Sequence, residues 1–151
     1  MRFRFLFLLS LSFLCACTGA RSTNATTPNV GSTQLSILAG EQVYVEVAVQ
    51  NKMIVGIKKV RNVIDPNNTM NFKFMKDENR KIMTLSVENS LTSPVKYHID
   101  MVDYRGGLHN TSSCPVLAGK SVFEIWPHPI PEIRVTNFHF ASEEEETICI
   151  Y

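Results

Sequence analysis

The sequence predicts an all-β fold, a two-layer antiparallel β-sandwich of about seven to nine strands. Apolar residues recur at every second position from Gln34 onward, and turn-forming residues punctuate the chain roughly every 8 to 15 residues. With 151 residues, 44% of them hydrophobic, there is core enough for one domain and not for two. A 19% charged fraction at this apolar content excludes a mostly disordered chain, and a net charge of +1 removes the usual argument for nucleic-acid binding.

The first element is an address. Residues 1–16 read MRFRFLFLLSLSFLCA, in which Arg2 and Arg4 precede an apolar run from Phe5 to Leu14 broken only by Ser10 and Ser12. This is the layout of a signal peptide. The run is about half the 20 or so residues needed to cross hydrocarbon. Its end, Leu14-Cys15-Ala16-Cys17, resembles a bacterial lipobox, with Cys15 standing where Ala or Ser is usual. That resemblance implies lipidation of Cys17 as the first residue of the mature chain, with ordinary cleavage after Ala16 or Ala20 as the alternative. Thr18, where an Asp would retain a lipoprotein at the inner membrane, implies the outer membrane, facing the periplasm. Without Arg2 and Arg4 the mature chain keeps thirteen basic and fourteen acidic side chains, a net charge of minus one. Residues 17–33 turn to Ser, Thr, Asn, Gly and Pro, which cannot bury a core and read as a flexible tether. The folded domain is expected over 34–151.

Within that domain, Val43, Val45, Val47 and Val49 share one face of a strand over Gln42 to Gln50. The alternation returns at Met70, Phe72 and Phe74, at Met83, Leu85 and Val87, and at Val95, Tyr97, Ile99 and Met101. Later strands are expected at Ser121 to Trp126, Glu132 to Phe140 and Thr147 to Tyr151. Asn51 to Ile64 fits both a helical stripe and a strand; its valines, isoleucines and Gly56 favour strand. Turns fall at Asp65-Pro66-Asn67-Asn68, Asp77-Glu78-Asn79, Ser93-Pro94, Arg105-Gly106-Gly107 and Ala118-Gly119-Lys120.

Cys114 and Cys149 are the cysteines left in the domain, and an exported chain meets oxidising conditions, so they are expected to pair. Neither lies in a CxxC or HxxxH spacing, so no metal site and no cofactor are predicted.

Leu85-Ser86-Val87-Glu88-Asn89-Ser90, Pro94-Val95-Lys96-Tyr97, Met101-Val102-Asp103-Tyr104-Arg105-Gly106-Gly107 and Leu117-Ala118-Gly119-Lys120 together resemble small periplasmic lipoproteins with immunoglobulin-like domains. Here Asp103-Tyr104 reverses the commoner Tyr-Asp order, and Ala118 stands where Pro is frequent. The resemblance covers about a third of the chain. It implies an immunoglobulin-like sandwich and an envelope location, and it transfers no catalytic residue.

The most unusual local string is Trp126-Pro127-His128-Pro129-Ile130-Pro131. Prolines at alternate positions remove N–H groups along one edge, which suits a protected edge strand or an extended bend between strands. Its other reading is a rigid lip with Trp126, His128 and Ile130 facing a partner. His98 and Asp100 alternate on one strand, and Asp103, His109, Ser112 and Ser113 follow. A hydrolase using His98, Asp103 and Ser113 can be drawn from these, although no nucleophile-elbow pattern supports it. Glu143 to Glu146 read as a solvated acidic loop. The function expected is therefore that of a monomeric, non-enzymatic binding or accessory module, held at the membrane by its lipid and contacting another envelope protein. The alternatives are the small exported hydrolase and a structural subunit of an envelope assembly.

Overall fold

A computed structural model describes residues 32–149; the expected signal peptide, Cys17 and most of the expected tether lie outside them. Nine strands appear: β1 (Leu35–Leu38), β2 (Gln42–Gln50), β3 (Met53–Val60), β4 (Thr69–Asp77), β5 (Ile82–Asn89), β6 (Val95–Val102), β7 (Leu108–Thr111), β8 (Ser121–Trp126) and β9 (Glu132–Phe140). They form two antiparallel sheets, ordered β1-β9-β6-β7 and β3-β2-β4-β5-β8, as the period-two pattern predicts. The ambiguous stretch after Asn51 is strand β3, paired along β2.

The alternating residues supply the core. Phe72, Phe74, Leu85, Val87, Val95 and Ile99 are completely buried between the sheets. Phe72 meets Tyr97 and Phe138 edge-on, with ring centroids 5.9 and 6.1 Å away, so aromatic contacts join the two layers. Such geometry satisfies the ring quadrupoles as well as the packing. Tyr97 carries one unmet demand: its buried hydroxyl has no hydrogen-bond partner, and burial pushes its ionisation far above the ordinary value. Tyr97→Phe is accordingly expected to stabilise the domain by about 1 kcal/mol, read as a rise in the urea midpoint.

Several details depart from the sequence reading. Val49 leaves the buried face and is 44% exposed, because a bulge at Ala48/Val49 shifts the β2–β3 register. In β9 the buried series passes from Val135 to Phe138, across Asn137 at a φ of 54°. Thr147 to Cys149 form turn and irregular chain rather than strand, while Ile150 and Tyr151 lie outside the described residues. Ser32, within the stretch expected as a tether, is paired with the domain: the Ile57 N–H donates to its carbonyl at 2.8 Å. Strand β1 follows the alternation, with Leu35 and Ile37 buried, whereas β7, also four residues, carries no sequence signal of its own.

Asn89 holds the loops at the end of β5. Fully buried at the end of β5, its amide donates to the carbonyls of Ser93 and Val116 at 2.9 Å, and its Oδ1 accepts the Leu91 N–H. Its backbone pairs with Gly119 and Lys120, where Gly119 adopts a φ of 65° that suits glycine. One side chain thus fixes two loops at once. Asn89→Ala is expected to cost about 2–3 kcal/mol in chemical denaturation, since buried carbonyls and an N–H lose their partners together.

Candidate functional site

At one end of the sandwich the β6–β7 hairpin and the β8–β9 connection meet. Between them lies a cavity of about 350 Å³, floored by Met101, Val102 and Ile130 and walled by Asp103, His109 and His128. Met101 and His109 are direct cross-strand neighbours in the β6–β7 ladder, which puts both side chains on one face.

Asp103 organises the hairpin. Its Oδ1 accepts the N–H groups of Arg105 and Gly107, both at 2.8 Å, and its Oδ2 accepts from His109 Nε2 at 2.9 Å. Gly106 turns the chain at a φ of 82°, and a Cβ on Gly107 would stand 2.7 Å from Asp103 Oδ2. Both glycines of the Arg105-Gly106-Gly107 turn are therefore required. The His109 ring, followed by the Gly107 and Arg105 amides, holds the Asp103 carboxyl down at about 2. An ionised carboxylate only accepts, so the His109 Nε2 carries the proton of this hydrogen bond.

The sign of the pH dependence follows. A carboxyl whose folded value lies below the ordinary 3.8 supports the turn fully at higher pH and loses that support as pH falls from about 4 through about 2. Amide chemical shifts of Arg105 and Gly107, followed by NMR, should titrate near pH 2. A midpoint near 4 would contradict the bonding.

The proline-spaced string is the extended bend between strands: it carries the chain from β8 in one sheet to β9 in the other. The lip reading is corrected for two of its three residues. Trp126 is buried, donates from Nε1 to Thr111 Oγ1 at 2.8 Å and stacks edge-on against Phe74. Ile130 is buried as well, while His128 is exposed. Trp126 ends β8 on the same inner face as Val122 and Glu124, and Ile130 is buried where the chain crosses to the other sheet, so only His128 remains outside.

The hydrolase residues are not brought together. His98 Nε2 pairs with Asp100 Oδ1 at 3.1 Å, Asp103 pairs with His109, and the fully buried Ser113 donates from Oγ to the Tyr97 carbonyl at 2.8 Å. The partner of Asp103 is thus the histidine across the hairpin. A pair held by a tight Gly-Gly turn is the signal that identifies it. Among the described residues no group of three or more His, Cys, Asp or Glu side chains is placed to hold a metal ion.

Elsewhere, Cys114 and Cys149 form the expected disulfide. Beside it, buried Glu124 accepts the Cys114 N–H at 3.0 Å; burial raises its carboxyl above the ordinary range, against that hydrogen bond. In the acidic run, Glu145 reaches buried Lys96 at 3.7 Å and His139 at 3.4 Å. Strand β8, at a sheet edge, presents Phe123 and Ile125 outward, 64% and 60% exposed. No family model, no curated protein and no solved structure matches this chain.

Proposed function

We propose that this protein is a lipid-anchored, non-enzymatic binding module of the bacterial envelope, carried on an immunoglobulin-like sandwich. Cys17 would hold it at the outer membrane on the periplasmic side, the tether would give it reach, and the end of the sandwich formed by the β6–β7 hairpin and His128 would make the contact. The observation that carries this reading is Leu14-Cys15-Ala16-Cys17, set between an apolar run and a polar stretch that cannot fold. The Asp103–His109 pair supports the recognition half: it is a fixed polar group beside an apolar floor, the usual make-up of a binding site.

The anchor is tested by metabolic labelling with a fatty acid, with and without globomycin. Labelled protein that disappears in Cys17→Ser, and precursor that accumulates with the inhibitor, are expected. A Cys17→Ser protein that still matures and stays membrane-bound would overturn the anchor. The contact is tested by a photo-crosslinker at His128 in intact cells, which should capture a neighbour that the same group at exposed Lys52, in the β2–β3 turn, does not.

A further inference from the structure

The cavity does not stop at the hairpin. A second depression, about 420 Å³, lies on the other side of Tyr104 and Pro129, which wall both. Tyr104 is 79% exposed between them, its ring free to lie along a ligand. The two depressions differ in chemistry. The first is floored by Met101, Val102 and Ile130. The second is lined by Met83 with Lys76, Lys81 and Glu78. Glu78 pairs with Lys76 at 2.9 Å. Lys81 makes no salt bridge among the described residues. It stands in the β4–β5 turn, whose Asn79 and Arg80 amides are fixed by Asp77 Oδ1, so its backbone is positioned in advance.

We propose that the two depressions form one site for a free fatty acid, with its alkyl chain over the Met101, Val102 and Ile130 floor and its carboxylate at Lys81. The proposal rests on the reading of this end of the sandwich as the recognition surface and names what it takes. Charge fixes the direction. Reversed, the ligand carboxylate would face the ionised Asp103. Charge also favours an anionic head group: three N–H donors already occupy Asp103, Glu78 in the second depression is paired with Lys76, and Lys81 makes no salt bridge among the described residues. The apolar cavity lies within the roughly 300–1,000 Å³ typical of ligand sites.

Calorimetric titration of the full chain with decanoate below its micellar concentration should show saturable one-to-one binding. Decanol at equal concentration should bind about threefold more weakly, for loss of the attraction alone, and decyltrimethylammonium about tenfold more weakly, for attraction exchanged for repulsion. Each methylene removed from the chain should weaken binding about fourfold. Lys81→Glu, at an exposed position that leaves folding intact, should weaken decanoate about tenfold by exchanging attraction for repulsion. No saturable binding, equal binding of the cationic amphiphile, or indifference to Lys81→Glu overturns the proposal. If decanoate fails while the His128 crosslinker still captures a neighbour, the ligand class falls and the recognition surface stands; failure of both removes the surface as well.

Discussion

Phe72→Ala is expected to remove about 3–5 kcal/mol of stability, the range for truncating a fully buried aromatic side chain. Phe72 lies in β4, with β2 on one side and β5 on the other, and is completely inaccessible to solvent. Its ring stands edge-on to Tyr97 at 5.9 Å and to Phe138 at 6.1 Å, both from the opposite sheet. Removing it therefore withdraws the group through which the layers touch, and two rings lose a partner together. Pairs of this kind are worth about 0.5–1.5 kcal/mol beyond the area they bury. A domain of this size holds roughly 5–15 kcal/mol in all, so a large share goes with one residue. Phe123→Ala is the internal control. The same truncation on the outer face of β8, at a position 64% exposed, should change stability by about 0.5 kcal/mol or less. Denaturant midpoints at unchanged slope decide the matter. Equal losses at the two sites would mean that the inner face of β4 is not the core.

That contrast also shows what the sequence carries and what it lacks. Phe72 and Phe74 were legible because β4 runs straight, and a straight strand returns every second side chain to one face. The rule fails wherever the ladder slips. Val49 continues an unbroken valine series in sequence, yet the bulge beside it turns the residue outward. Asn137 breaks β9 through a backbone conformation that Asn tolerates, and nothing in the apolar pattern announces it. Strand β7 has no alternation to read; Leu108 to Thr111 are extended because β6 presents an edge to them. The site divides in the same way. Asp103 and the two glycines were readable as a turn, while the pairing of Asp103 with His109 rather than His98 depends on a hairpin register that sequence spacing does not state. Trp126 points inward because it continues the inner face of β8, and Ile130 because the chain is crossing to the other sheet there, which the proline spacing alone does not state.

Removing the disulfide, by Cys114→Ser with Cys149→Ser or by reduction, is expected to cost about 4 kcal/mol. Its loop spans 35 residues of sequence, and the chain-entropy model gives that magnitude for a closure of this length. The two ends differ in what else holds them. Cys114 is kept beside β8 by its N–H bond to Glu124 and follows Ser113, whose hydroxyl is bonded to the Tyr97 carbonyl. Cys149 follows a stretch tied down by fewer contacts: the Ala141 N–H to the Pro94 carbonyl, and Glu145 to Lys96 and His139. Reduction should therefore release the chain beyond Ala141 first, leaving β8 and β9 in place until the global transition. Hydrogen exchange should speed up at Glu145, Glu146 and Ile148, whose amides bond within that segment, well before it does in β4 or β5. Guanidinium unfolding with and without reductant measures the global loss. An unchanged midpoint would mean that the cross-link does little to restrict the unfolded chain. Uniform acceleration of exchange across both sheets would mean that the C-terminal segment is integral to the core instead of fastened onto it.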